Sequence, residues 1–369
     1  MKTIVQKLLL LTCAATTLHQ TDAYNPADLA VFVSGVGRNY QNFDLSNAPL
    51  SGYNGINARS GANFFGANLS GADLSNTDIS GSTLYWTNVA GTTCTNTIFN
   101  GSTIVITDFT SASAQNALLV SCTLIGSSFA SADLSSALID HSVLFALNFA
   151  NATLVSLTLQ DTHLNSCDFG NANMSYAQLN SLDLSHNINF VSTILDNADL
   201  SDSNLTNANL IAASLTNTNL NTNTILRGAD ISSTNLQDAI ITGSLVADGA
   251  LIYYSTMNNL NLPGASLQNA QIGYSDLTGS NLTNANLSRA ILESTNFTSV
   301  DFSNANFAAT DISYTNLTSA NLTNISAQAA NFSGANATSA NFTAADLRGA
   351  NFLGTNLTGV IFVNNLLTL

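Results

Sequence analysis

From Phe64 to Phe362 an apolar side chain returns at every fifth position for 60 consecutive repeats, interrupted by three one-residue slips. Ala67-Asn68-Leu69-Ser70-Gly71 and Ala72-Asp73-Leu74-Ser75-Asn76 show the unit: small, Asp/Asn, Leu/Phe, Ser/Thr, then a variable residue. Five matches neither the strand period of two nor the helix period of 3.6. A short fixed period over most of a chain predicts a solenoid. Most residues are then scaffold, and the exceptions to the beat carry what the chain says about function.

The central apolar residue and the small residue two before it can both point inward if the residue between them points out, as in a short strand. The other two residues turn a corner, and four such sides close a coil of twenty. Phe109, Phe129, Phe149 and Phe169 recur at that interval, and Phe190 follows after the first slip. One column of rings is therefore expected to run through the slip. The pattern resembles the pentapeptide-repeat family, whose motif is A(D/N)LXX, over residues 62–362. The resemblance implies a right-handed quadrilateral β-helix with the centre and the residue two before it inside. Sixty centres at four per coil predict an all-β rod of about 15 coils, ~70 Å long at ~4.8 Å per coil.

With centres at 64–184, 190–225, 231–251 and 257–362, the extra residues are expected near His186–Asn189, Leu226–Gly228 and Ile252–Ser255, as outward bulges at corners. Residues 24–61 are expected to cap the first coil. Asn25-Pro26-Ala27-Asp28 reads as a helix start, with Asn as the cap and Pro in the first turn. Leu45 and Leu50 read as degenerate first repeats. The tail 363–369 is apolar, and an unpaired coil there predicts either a fold-back or a homodimer through the C-terminal end.

Residues 1–23 read as a signal peptide: Lys2 and Lys7, the apolar run Leu8 to Leu18, then Thr21-Asp22-Ala23 as a small-residue cleavage site. The chain is thus expected to be exported (periplasmic, secreted or cell-surface) with no transmembrane segment. Removing the leader takes 7 basic and 22 acidic residues to 5 and 21, a net charge of 5 − 21 = −16. That balance opposes nucleic acid as a partner. Cys94, Cys122 and Cys167 fall on inward positions, an odd set that reads as buried thiols and not as a disulfide framework.

Apolar residues where the rule predicts polar ones stand out. Phe65, Tyr85, Val105, Ile125 and Phe145 each follow a centre and are twenty apart, with Trp86 and Ile106 beside them. Ile98, Leu118 and Leu138 form a second outward column on the preceding side. These ten residues are expected to make a partner-binding apolar patch, unless residues 24–61 fold back over them. A second ordered surface is Thr278, Thr298, Thr318, Thr338 and Thr358, with Asn296, Asn316, Asn336 and Asn356 one column over. It reads as a structural ladder, or as a face for a polysaccharide or ice.

Catalytic chemistry is sparse. After the leader the histidines are His141, His163 and His186, the only Glu is Glu293, and Lys is absent. His141 and His163 are 22 residues apart, at different points of the repeat, and read as surface histidines. No catalytic, cofactor or metal residues are expected, and the chain reads as a non-enzyme. The leading expectation is an exported scaffold that binds a protein or cell-surface component. Some family members mimic DNA and bind topoisomerases. A ~70 Å duplex carries about 40 charges, well above the 16 available here.

Overall fold

The computed structural model describes residues 25–28, 39–51, 61–221 and 223–367. The expected leader, and residues 29–38 and 52–60 of the expected cap, lie outside the described residues.

Each five-residue unit builds its own side and corner. In Ala67–Gly71 the side chains of Ala67 and Leu69 are buried and Asn68 between them faces outward. Asn68 Oδ1 accepts the Ser70 N–H (3.2 Å) and the Ser70 hydroxyl (2.8 Å), which folds the chain into the turn. The same Asx turn recurs from Asp73 to Ser75 and from Asn321 to Thr323. This is the physical reason for Asp/Asn before the centre and Ser/Thr after it. The last residue of the unit sits in the left-handed region, as at Gly71 (φ 65°), Asn76 (φ 57°) and Gly81 (φ 67°). That position, read as variable, is therefore constrained, and its wealth of Gly, Asn and Ser follows. Inward hydroxyls are satisfied by the coil before: Thr92 Oγ1 donates to Leu69 O and Thr97 Oγ1 to Leu74 O, each at 2.8 Å. Small polar residues can thus stand inside without a desolvation penalty.

Successive coils pair in parallel. Asn63↔Thr83, Asn68↔Asn88, Asp73↔Thr93 and Asp78↔Ile98 bridge the four sides of one coil to the next, each twenty residues on. The result is a parallel β-solenoid with an apolar interior running its length. Among the described residues ten three-residue strands are regular enough to stand as elements, and elsewhere the coils meet by single bridges. Regular strand is thus scarcer than fifteen four-sided coils would supply, because most sides pair through a single bridging residue before the chain turns. Eight of the ten strands cover two adjoining sides between residues 83 and 165. On one side run β1 (Thr83–Tyr85), β2 (Thr103–Val105), β4 (Thr123–Ile125), β6 (Val143–Phe145) and β8 (His163–Asn165). On the preceding side run β3 (Leu118–Val120), β5 (Leu138–Asp140) and β7 (Thr158–Gln160). The remaining pair, β9 (Leu251–Tyr253) and β10 (Gln271–Gly273), lies further along.

The three slips are outward bulges at corners, but two lie earlier than expected. The first occupies the turn at 185–187, where the spacing of bridged residues changes from 20 (Thr158↔Gln178) to 21 (Asp168↔Asn189). The second falls between the bridging residues Asn219 and Ile225, six apart instead of five; Leu226 is the buried centre, so centres resume at 226. The third lies at 242–244, with Val246 bridging and Ala247, Ile252 and Met257 inside. Leu251, expected as a centre, is a half-buried bridging residue. These two bulges share one corner, where the Thr242 N–H donates to Asn221 Oδ1 (2.6 Å).

The ring column runs through the first bulge as expected. Phe109, Phe129, Phe149, Phe169 and Phe190 stack with centroid spacings of 4.6, 5.1, 5.0 and 5.3 Å. At the N-terminal end Tyr40, Leu45 and Leu50 are buried and the chain bridges onto the next coil (Asn39↔Asn63, Asp44↔Asn68). Pro26–Asp28 form a helical turn, with the Ala27 N–H on Asn25 Oδ1 (2.9 Å) and the Asp44 N–H on Asp28 Oδ2 (3.0 Å). At the other end residues 363–367 continue the coil without folding over it, since Asp346 bridges Leu366.

Candidate functional site: an outward apolar face and its edge

The two outward apolar columns stand on the two stranded sides. Tyr85, Val105, Ile125 and Phe145 are the last residues of β1, β2, β4 and β6 and stand in register as ladder partners. Leu118 and Leu138 open β3 and β5, and Ile98 bridges Leu118. Neighbours shield one another, so nine of the ten are half-buried. Val105 departs from the expectation: it is buried, 3% exposed, between its partners Tyr85 and Ile125. The Phe65 ring meets Trp86 edge-on at 4.9 Å. Trp86 (φ 52°) and Ile106 (φ 50°) occupy left-handed corner positions. A β-branched residue there is an outlier in backbone preference. The two stretches that could cover this face, 29–38 and 52–60, lie outside the described residues.

The corner between the two sides carries the cluster that the sequence reading missed. His141 turns this corner (φ 47°) and Asp161 turns it one coil later (φ 45°). Asp140 Oδ1 lies 2.6 Å from His141 Nδ1, and Asp161 Oδ2 lies 3.7 Å from His141 Nε2. His141 and Asp161 are exposed, as expected of surface residues, but they are not isolated. The signal was present: 141 and 161 differ by one coil. Comparing histidine with histidine, 22 apart, concealed it.

Beside this corner the ladder opens. On the β8 side every neighbouring pair of coils from Asn63 to Leu366 is bridged except His163 and Asp183. The 185–187 bulge directly follows that gap. A cavity of about 580 Å³ lies there, lined by residues that include Val143, Phe145, Asp161, His163, Leu182, Asp183 and His186. His186 Nδ1 lies 3.5 Å from Asp183 Oδ2. Burial raises the Asp183 carboxyl, but hydrogen bonds from the Ser185 hydroxyl and N–H, the nearby imidazole charge of His186 and a hydrogen bond from Asn204 outweigh it and hold the group below its ordinary value.

The Asn/Thr ladder is closed on itself. Thr298 Oγ1 donates to Asn296 Oδ1 (2.7 Å) and accepts from Asn316 Nδ2 (2.8 Å). Thr318 and Asn336, then Thr338 and Asn356, repeat the arrangement. Thr278 joins through Asn296, and Thr358 donates to Asn356. Most donors along this face are therefore committed within the coils. The thiols are inert: burial pushes Cys94 up to about 12 and Cys122 and Cys167 up to about 11, and all three are free.

The model of pentapeptide repeats matches in eight copies over residues 60–93, 152–186, 186–221, 249–284, 285–324 and 328–362, more than half of the chain. The chain belongs to the pentapeptide-repeat family. Solved structures of the family are among its matches. HetL, a pentapeptide-repeat protein involved in heterocyst differentiation regulation in Nostoc sp. strain PCC 7120, is 19% identical over 92% of this chain and 95% of its own, with a TM-score of 0.21. Rfr23 of Cyanothece 51142 is 25% identical over 31% of this chain and 88% of its own, at a TM-score of 0.17. QnrB1, a plasmid-mediated fluoroquinolone resistance protein, is 17% identical over 48% and 81%, at 0.18. Among curated proteins none matches.

Proposed function

We propose that this chain is an exported, non-enzymatic scaffold that docks a protein partner through the apolar face between Phe65 and Phe145. The observation that carries this reading is the coincidence of two features. The outward apolar columns fall on the two sides where the solenoid has its run of true strands. Repeat scaffold needs neither: along most of the other coils single bridges and Asx turns suffice, with mostly polar outward residues. Trp86 and Ile106 add a conformational cost at corners where Gly, Asn or Ser would serve. A flat, stranded apolar surface low in charge suits a partner with an apolar face. Export rests on the leader pattern of residues 1–23. Among the described residues no helix is long and apolar enough to cross a membrane.

Polysaccharide or ice binding through Thr278–Thr358 is weakened by the internal pairing of that ladder. DNA mimicry is weakened by the low charge. The exposed apolar coil that carries Leu357 and Phe362 supports a second contact, to another copy of the chain.

The test is the triple variant Phe65→Ser, Tyr85→Ser, Phe145→Ser. With a partner-binding face the melting temperature holds within a few degrees, while partner recovery from the native host is lost. A fall in melting temperature of 10 °C or more would instead mark the face as one buried by the chain itself. N-terminal sequencing of the protein from the host envelope and medium checks export, and a chain beginning with intact Met1 defeats it.

A further inference from the structure

The His/Asp corner lies at the edge of the apolar face, and no feature of the repeat requires it. The corresponding corner residues one and two coils earlier are Ser121 and Gly101, and one coil later Ser181. Ser, Gly and Asn satisfy the left-handed backbone there. His141 and Asp161 place an imidazole and a carboxylate at two successive corners, where coil stacking brings them together across the gap between coils.

We propose that His141 and Asp161 bind a borderline divalent cation, of the Zn²⁺ or Cu²⁺ kind, and that Asp140 orients the imidazole for it. The separation of 2.6 Å between Asp140 Oδ1 and His141 Nδ1 is a hydrogen-bond length. It leaves no room for an ion between the two atoms, so a proton sits there. Holding the proton on Nδ1 leaves the lone pair on Nε2, the nitrogen that faces Asp161. A cation ~2.0–2.1 Å from an imidazole nitrogen and a carboxylate oxygen sets those atoms roughly 3.4 Å apart at a tetrahedral angle. The observed distance between Nε2 and Asp161 Oδ2 is 3.7 Å, so a shift of a few tenths of an ångström closes the site. All three residues can offer a ligand atom within 4.8 Å of the others.

The interrupted ladder supplies a second, independent feature. The coil segment that carries Asp161 is not bridged to the next coil at His163, so its outer edge is open. The cavity formed there is lined by Asp161 itself and by His163, Asp183 and His186. All three histidines outside the leader thus gather along this corner and its opening, in a described chain that otherwise has none. The opening leaves the outer coordination positions to water or to a group of a docked partner. An imidazole with one carboxylate selects Zn²⁺ or Cu²⁺ over Ca²⁺ or Mg²⁺, which demand oxygen ligands.

The experiment uses untagged full-length protein, because a histidine tag would compete. Titration with Zn²⁺ by calorimetry is expected to give one ion per chain. His141→Ala and Asp161→Asn each weaken binding at least tenfold. His186→Ala, on the far side of the opening, leaves it within about twofold. Bound Cu²⁺ is expected to show nitrogen coupling from one imidazole in its paramagnetic resonance spectrum. That coupling disappears in His141→Ala. In Asp140→Asn it persists while affinity falls about 10–100-fold, a split that a merely structural role of Asp140 would not give. Far-UV circular dichroism confirms folding of each variant, and His141→Gln serves if His141→Ala does not fold. No saturable binding up to 1 mM Zn²⁺, or nitrogen coupling that survives His141→Ala, overturns the proposal. Neither outcome bears on the docking face, whose test uses no metal.

Discussion

Phe149 stands in the middle of the ring column, with Phe129 at 5.1 Å on one side and Phe169 at 5.0 Å on the other. Truncation removes a large buried side chain and two stacked neighbours, and the closed coil cannot collapse around the void. Phe149→Ala is therefore expected to cost about 3–5 kcal/mol, read as a lower urea midpoint. Asp346 offers a test by pH. A hydrogen bond from the Arg348 side chain comes first among the groups that hold its carboxyl down to about 2; burial opposes, and the Arg348 N–H and the Gln328 amide assist. A depressed carboxyl stabilises the fold above its unfolded value of ~3.9 and loses that contribution as pH falls through about 2. A carbon-13 titration of Asp346 should show a midpoint near that value, moving up toward ~4 in Arg348→Gln. At this scale the sequence was informative about inward residues and silent about corners. Burial leaves a compositional trace at each fifth residue. A left-handed φ leaves only a bias toward Gly, Asn and Ser, and Trp86, Ile106 and His141 break that bias.

Elements here are single sides, and their register is the quantity most easily misread. Two of the three bulges lie one or two units earlier than the periodicity suggested. Ile225-Leu226, Val246-Ala247 and Leu251-Ile252 are adjacent apolar pairs, so either member satisfies the beat. Only the bridges show which one points in. The first bulge was readable because Asn187 and Asn189 flank Ile188, leaving a single candidate centre at Phe190. A deletion distinguishes bulge from scaffold. Removing Gly243 from the 242–244 bulge restores the five-residue spacing and is expected to leave the melting temperature within a few degrees. Removing Ser319 from a regular corner shifts every later side by one residue and turns Leu322 outward. That variant should lose its C-terminal coils, seen as rapid proteolysis beyond residue 319. Equal behaviour of the two deletions would contradict the assignment of the bulges.

Over the whole molecule each coil meets only the one before and the one after, so stability is a sum of nearest-neighbour terms and the last coils contribute least. The side chains that would face a following coil show this directly: Leu357 is 38% exposed, Phe362 44% and Leu367 67%. Phe362 still stacks on Phe342 at 5.4 Å, so the ring column of that end finishes with one face open. An apolar ring of this kind, bordered by unpaired bridging groups, is satisfied at low cost by the same surface of a second copy across a two-fold axis, which closes without forming a filament. The full-length chain is accordingly expected to run as a dimer in light scattering at micromolar concentration. Phe362→Asp with Leu367→Asp should give a monomer whose circular dichroism is unchanged, because neither residue belongs to the interior of an enclosed coil. The apolar face from Phe65 to Phe145 lies near the opposite end of the rod, so partner capture should persist in that monomer. A wild-type chain that stays monomeric at ~100 µM would remove the end-to-end contact and leave the exposed coil to another occupant.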